Sequence, residues 1–335
     1  MMYSCALFQA DIPPTLPSSM AKGSGISPSS LAGESNGYGN GFSNGHAKPL
    51  NGNADRSSSK TAVAPPASLR FVDSLEAAQR RKIDCILQRL GPLGSQHTLL
   101  DIGFGWGGIC IRAAELYGCK VRGITLSEEQ KKLAEKRVHE QGLGDLIEFE
   151  LIDYRDFASR EFSKGNRFDK IVSCEMIEAV GHNHLGEFFA AIDKLLARDG
   201  VFVMQAITTP EARYVANVKS ADFCNTIIFP GGCCPSLTAL LQAMEGHSNL
   251  YLDQLTNFNV HYGKTLFEWR RRFNNSLEKV RAIGFDDQFV RCWNFYLCYC
   301  EVGFEYQIMN LLVLTFSRPG NGNLLPSRIL NALVS

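Results

Sequence analysis

The stretch Leu100-Asp101-Ile102-Gly103-Phe104-Gly105-Trp106-Gly107-Gly108 decides the fold. An apolar run that ends in glycines and opens into a helical pattern lets backbone N–H groups come close to a ligand. Gly103, Gly105 and Gly108 satisfy the spacing G-x-G-x-x-G, so a dinucleotide site has to be weighed. Two features oppose it. Asp101 sits two residues ahead of the first glycine, and the next strand closes on Ile124-Thr125-Leu126-Ser127 rather than on an acid. The D-x-G-x-G order suits S-adenosylmethionine: the glycines admit its methionine and ribose portion, and a carboxylate lies near its ammonium. A tight strand-to-helix turn without a ligand is the bland alternative.

Outward from this stretch the pattern alternates. Ser74 precedes apolar residues at helical spacing from Leu75 to Leu90, where Gly91-Pro92 stops the run. Strands are expected at Leu99 to Ile102, Lys120 to Ile124, Ile147 to Ile152, Lys170 to Cys174 and Val201 to Ile207. Helices are expected at about 107 to 117, from Ser127 with Gln130 completing a capping box, and from Leu185 to Leu196. Such alternation predicts an α/β fold, Rossmann-like, with a mostly parallel sheet and helices on both faces. After residue 210 the alternation gives way to aromatic-rich segments, closed by a strand from Ile308 to Phe316.

Composition narrows the classes of function. Of 335 residues, 34 are Lys or Arg and 34 are Asp or Glu, so no bulk positive charge favours nucleic acid. No apolar run approaches the roughly 18 residues that cross a bilayer. The first residues lack a secretory signal, and eleven scattered cysteines without a C-x-x-C pair predict reduced thiols and no metal. Together these features predict a soluble, cytoplasmic protein. Between residues 21 and 60, Gly, Ser, Asn and Pro fill 24 of 40 positions. Residues 12–68 therefore read as a disordered insertion, with too little apolar surface to offset the entropy of ordering.

Further segments follow in a fixed order: Gly123-Ile124-Thr125-Leu126-Ser127-Glu128-Glu129-Gln130, Asp153-Tyr154-Arg155-Asp156 and Ser173-Cys174-Glu175-Met176-Ile177-Glu178-Ala179-Val180-Gly181-His182. Ile228-Phe229-Pro230-Gly231-Gly232, Gly284-Phe285-Asp286, Tyr299-Cys300-Glu301-Val302-Gly303-Phe304 and Phe316-Ser317-Arg318-Pro319-Gly320 complete the set. From about residue 70 to Asn321 the chain resembles the cyclopropane-fatty-acyl-phospholipid synthase family. That class I methyltransferase group includes the mycolic acid cyclopropane synthases. Met2-Tyr3-Ser4-Cys5-Ala6 is similar to the family's Y-S-C-A segment. The division that follows is an N-terminal fragment at 1–11, the insertion at 12–68, a methyltransferase domain at 69–321 with an aromatic-rich substrate-binding insertion, and a tail at 322–335. The helical region that precedes Y-S-C-A in the family, with its H-Y-D motif, is not found.

The resemblance implies transfer of the methyl carbon of S-adenosylmethionine to a cis double bond of an unsaturated phospholipid acyl chain. A carbocation follows, and a ring closes when a base removes a proton. Aromatic faces can stabilise such a cation. The base implied by the family is bound bicarbonate, cradled here by Cys5, Glu178, Gln205, Ile207 and Tyr262. Gln205 stands where some members carry His, and Ala179 where His commonly follows the glutamate. Cys300 matches the cysteine traditionally marked as the active-site residue, although a cation mechanism needs no thiolate. Cofactor contacts carried over are Tyr3, Ser4, Asp101, Gly103, Gly105, Gly107, Thr125, Leu126, Ser127, Gln130, Asp153 and Tyr154. Arg270-Arg271-Arg272 with Lys264 offers a basic patch for anionic head groups, hence salt-sensitive peripheral contact with membranes; a solvated helix face is the alternative. A homodimer stays open. So do two other readings: the same fold acting on an amine or another lipid, and an inactive, truncated relative.

Overall fold

Leu99 and Leu100 lie side by side in the first strand and are both fully buried, in different cores. Alternate strand residues point to opposite faces, so this adjacency already requires a sheet covered on both sides. The computed structural model describes residues 4–9 and 73–324, which fall within one compact unit. The expected insertion at 12–68, Tyr3 and nearly all of the C-terminal tail lie outside the described residues.

The chain order is α1 (Leu75–Arg89), β1 (Thr98–Ile102), α2 (Gly108–Tyr117), β2 (Lys120–Thr125), α3 (Glu128–Glu140), β3 (Ile147–Leu151), α4 (Tyr154–Ser163) and β4 (Phe168–Cys174). It continues through α5 (Leu185–Leu195), β5 (Leu196–Thr208), α6 (Glu211–Lys219), α7 (Leu237–His247), β6 (Tyr251–Asn257), α8 (Asn259–Asn274), α9 (Leu277–Ala282), α10 (Asp287–Glu305) and β7 (Asn310–Ser317). The seven strands form one sheet in the order β3-β2-β1-β4-β5-β7-β6. The first five run parallel, and β7 enters antiparallel between β5 and β6. This is the mostly parallel, Rossmann-like sheet that the alternation predicted.

One face is packed by Phe157, Phe188, Phe189, Ile192, Phe202 and Phe316, contributed by α4, α5, β5 and β7. The other is packed by Ile86, Leu87, Cys110, Val121, Val172 and Val203 beneath α1, α2 and α3. Each such side chain contributes about 1.5–3 kcal/mol when taken fully out of water. A third cluster, Cys5, Tyr262, Leu266, Tyr296, Leu297, Phe304 and Leu311, joins α8 and α10 to the residues at 4–9.

Residues 4–9 are bound as a strap. Leu7 N donates to Ala78 O at 3.0 Å, Ala6 N to Thr265 Oγ1 at 3.0 Å and Phe8 N to His261 Nδ1 at 3.1 Å. The strap therefore ties α1 to α8 across the carboxyl ends of the strands. Between β1 and β4 the chain order of the sheet reverses, the place where open α/β sheets bind their ligands.

Candidate active site

The carboxyl end of β1 delivers Asp101 and the glycine loop. Gly103 has φ of 80°, and a Cβ there would lie 2.7 Å from Met176 Cγ, so the loop packs directly on the residues after β4. Gly105, with φ of 56°, would place a Cβ in open space, leaving its backbone accessible. Gly107 is the N-cap of α2. Asp101 is buried; its Oδ2 accepts from Cys110 Sγ at 3.3 Å, and Oδ1 has no hydrogen-bond partner among the described residues. Burial pushes its carboxyl up to about 7. An orphaned buried acceptor beside an open glycine backbone fits a ligand bearing an ammonium group, so these residues suit S-adenosylmethionine.

The end of β2 closes on itself. Thr125 Oγ1 donates to Gln130 Oε1 at 3.0 Å and accepts from Ser127 N at 3.2 Å, while Ser127 Oγ caps α3 by accepting from Gln130 N at 3.3 Å. Leu126 is exposed. After β3, Asp153 caps α4, and its two oxygens are gripped by the Arg155 guanidinium at 2.8 Å each. That guanidinium holds the carboxyl below its ordinary range. The Tyr154 ring meets Phe188 edge-on at 5.5 Å.

The centre of the site lies after β4, at a residue given no role from sequence. Glu175 Oε2 accepts from Tyr262 Oη at 2.5 Å, and Oε1 accepts from Gln205 Nε2 at 2.5 Å and from Cys5 N at 3.3 Å. Its φ is 51°, a left-handed conformation that costs a non-glycine residue about 1–3 kcal/mol. Glu175 N donates to Gln205 O at 2.8 Å, which fixes that conformation against β5. Burial raises the Glu175 carboxyl above its ordinary value; the Tyr262 hydroxyl, the Lys82 ammonium, Gln205 and the Cys5 amide pull it back. Tyr262 is itself held by its ring, 4.3 Å from that of Phe304.

Glu178 stands one turn further on. Its Oε1 accepts from Ile207 N at 2.6 Å, and Oε2 is buried without a partner among the described residues. Burial and then the charge of Glu175 push its carboxyl up to about 8. The two carboxyls thus differ in their surroundings: three donors and the Lys82 charge oppose the upward push of burial on Glu175, whereas Glu178 has one backbone donor and the added charge of Glu175 against it.

Lys82 is the other residue that sequence reading passed over. It is 1% exposed, and its Nζ donates to Ser4 Oγ at 2.7 Å. Its charge acts on Asp101 and Glu175 alike. Gln79, one turn earlier on α1, donates Nε2 to Ser4 O at 2.6 Å. The signal was available: Gln79 and Lys82 occupy the same helix face as Ala78, Ile83 and Ile86. Two polar side chains on an apolar stripe mark a helix that faces something other than core.

The other expected residues fall differently. Cys300 lies beside the aromatic cluster, with its Sγ 3.8 Å from Cys224 Sγ. That neighbour, and then burial, raise the Cys300 thiol far above its ordinary value, which opposes a thiolate. The expected bicarbonate cradle does not fit as the side chains stand. Tyr262, the Cys5 amide and one N–H of Gln205 are spent on Glu175, and the Ile207 amide is spent on Glu178. The arginine run is internally neutralised. Arg270 is paired with Glu301, Arg271 and Lys264 with Glu268, and Arg272 with Glu76.

A family model described as mycolic acid cyclopropane synthetase matches residues 70–314. The tuberculostearic acid methyltransferase UfaA1 of Mycobacterium tuberculosis is 39% identical over 246 residues, 73% of this chain and 56% of that protein. The cyclopropane-fatty-acyl-phospholipid synthase of Escherichia coli K12 is 33% identical over 246 residues, 73% of this chain and 59% of that protein. Among solved structures, the mycolic acid cyclopropane synthase CmaA1 complexed with SAH and CTAB matches with a TM-score of 0.65 at 27% identity, covering 73% of this chain and 86% of that one. The chain spans little more than half the length of these two curated relatives.

Proposed function

The chain belongs to the mycolic acid cyclopropane synthetase family, and we propose that it transfers the methyl carbon of S-adenosylmethionine to the cis double bond of an unsaturated phospholipid acyl chain, closing a cyclopropane ring. The observation that carries this reading is a buried carboxylate set against the glycine loop and roofed by aromatic rings.

An alkene is a weak nucleophile, so the reaction depends on a dry site that holds both reactants in register. S-adenosylmethionine supplies an electrophilic methyl group on a positively charged sulfur. Asp101 Oδ1 and Gln205 Oε1 are buried acceptors without partners among the described residues, and both favour positive charge over neutral ligands. Tyr262, Tyr296 and Phe304, with Trp269 packed against them, form an aromatic cluster on the side of Glu175 that Tyr262 occupies. Their ring faces attract a cation by at most about 2 kcal/mol when desolvated, and they offer no lone pair to trap it. An amine acceptor would need no base for ring closure.

Methyl transfer without ring closure is the second reading, favoured by the 39% identity to a protein named as a tuberculostearic acid methyltransferase. One assay separates the two. Purified protein is incubated with methyl-labelled S-adenosylmethionine and vesicles of cis-monounsaturated phospholipid, with saturated lipid as control, and the acyl chains are read by mass spectrometry. A gain of one CH2 with loss of reactivity towards hydrogenation gives the ring. A gain that leaves an alkene or a reducible branch gives the methyl product, and no gain despite cofactor binding sinks the lipid acceptor.

A further inference from the structure

Bicarbonate is a planar anion with oxygens about 2.2 Å apart, and so is a carboxylate, a matter of bond lengths common to both. Three of the donors expected to hold a bicarbonate converge on the Glu175 carboxylate: a phenol at 2.5 Å, an amide N–H at 2.5 Å and a backbone N–H at 3.3 Å. The carboxylate reaches them because Glu175 leaves β4 in a left-handed conformation, φ of 51°, pinned by its own N–H to Gln205 O at 2.8 Å. Its neighbour Met176 touches the position of the missing Gly103 side chain, which sets the carboxylate beside the cofactor loop. Lys82, buried on α1, supplies a positive charge to the same space.

We propose that Glu175 is the base of ring closure in this chain and that its side chain takes the place a bound bicarbonate would fill. The assignment rests on the reaction proposed above. In that reaction the alkene forms a C–C bond to the methyl carbon while the C–S bond breaks, its electron pair staying on sulfur. The cation left on the second alkene carbon is then quenched within the chain itself. Glu175 takes a proton from the new methyl group, and the C–H electron pair becomes the second C–C bond of the ring. The carboxylate ends as a carboxylic acid, which returns its proton to solvent when product leaves. No oxidant or further reactant is consumed. Glu178 is the weaker candidate, with one backbone donor and no cation of its own.

The test compares the full chain with Glu175→Gln and Glu175→Gly in buffers stripped of carbon dioxide and then resupplied. Glycine suits a φ of 51° and empties the three-donor cradle, so the second variant keeps its fold and admits an external anion. Wild type is expected to turn over equally with and without bicarbonate, and to show no bound resonance when titrated with carbon-13 bicarbonate. Glu175→Gln is expected to lose ring formation by about 100-fold or more. Glu175→Gly is expected to bind labelled bicarbonate and to recover ring formation with it. Calorimetric affinity for S-adenosylmethionine, unchanged within about threefold, checks that the variants are folded. Bicarbonate bound to wild type, a wild-type rate that falls about tenfold without it, or a Glu175→Gln rate near wild type would each overturn the assignment. The binding titration needs no lipid: bicarbonate seen on wild type removes Glu175 alone, whereas absence of ring product from wild type, with no bicarbonate bound, removes the reaction from which the role derives.

Discussion

Two half-buried glutamates three residues apart, with their carboxyl groups turned inward, give this molecule a pH signature that single residues can test. Glu178 is held near 8 in the fold against 4.5 as a free side chain, so between those values the folded chain keeps a proton that the unfolded chain has released. A raised carboxyl contributes its full stability below the unfolded value and loses it as pH climbs to the folded one. The slope is about 1.4 kcal/mol per pH unit for one such group. Asp101, held near 7, adds the same sign over its own window. Thermal unfolding of cofactor-free protein from pH 5 to 8 is therefore expected to show falling stability. Glu178→Gln, which stays neutral throughout, should gain on wild type by roughly 2–4 °C for each pH unit. Parallel curves for the two proteins would show that Glu178 is ionised in the fold and that the charge is shared differently.

At the scale of elements, what could be read in advance was what repeats. The central parallel strands announced themselves because strands buried on both faces carry apolar runs, as at Ile171 and Val172 in β4, while the edge strand β3 showed by its alternation, Ile147 and Phe149 in and Glu148 out. The edge strand β6 did not. Tyr251, Leu252 and Asp253 are only half-buried and its pairing with β7 is broken by a bulge, so no run forms. The family motifs led to Tyr262, Gln205, Cys5 and Glu178, but not to what these groups bind. Hydrogen-bond direction is a property of packing, and the motif around β4 offers two glutamates without saying which turns inward. Helix α1 was recognised from its cap and its stripe, yet Gln79 and Lys82 within that stripe were passed over. They give the helix a function, since its ammonium is the cation that acts on Asp101 and Glu175. Lys82→Met removes that charge and retains most of the volume. Losing it raises the Glu175 carboxyl further, so the acid limb of kcat/KM should move to higher pH. Ser4→Ala, which removes only the hydroxyl partner of Lys82, should leave the limb in place. A limb unmoved by Lys82→Met would separate this lysine from the base.

For the molecule as a whole, the question is how the fold would meet the substrate proposed for it, an acyl chain in a lipid layer. Among the described residues no helix is long and apolar enough to cross a membrane. In the arginine run on α8 each guanidinium is paired with a carboxylate, which is the arrangement of a solvated helix face and leaves little uncompensated charge for head groups. Helix α10 presents a different surface. Phe295, Tyr299, Val302 and Tyr306 follow one another at helical spacing with 53%, 47%, 42% and 74% of their surface exposed. The segment that carries Phe223 and Phe229 packs along the same helix, through ring contacts with Phe295 and Tyr296. The same helix turns Tyr296 and Cys300 inward to the third core cluster, which holds Tyr262, so α10 carries the exposed residues on one side and the site's aromatic packing on the other. On the proposed function, a bilayer is expected to meet this face by apolar insertion rather than by head-group charge. Co-sedimentation with vesicles should then change little between about 0.05 and 0.5 M salt, since apolar contact is not screened. Val302→Asp with Tyr306→Asp should weaken it by tenfold or more, while Arg271→Ala should not. Binding that collapses with salt and follows the arginine instead would return the contact to α8.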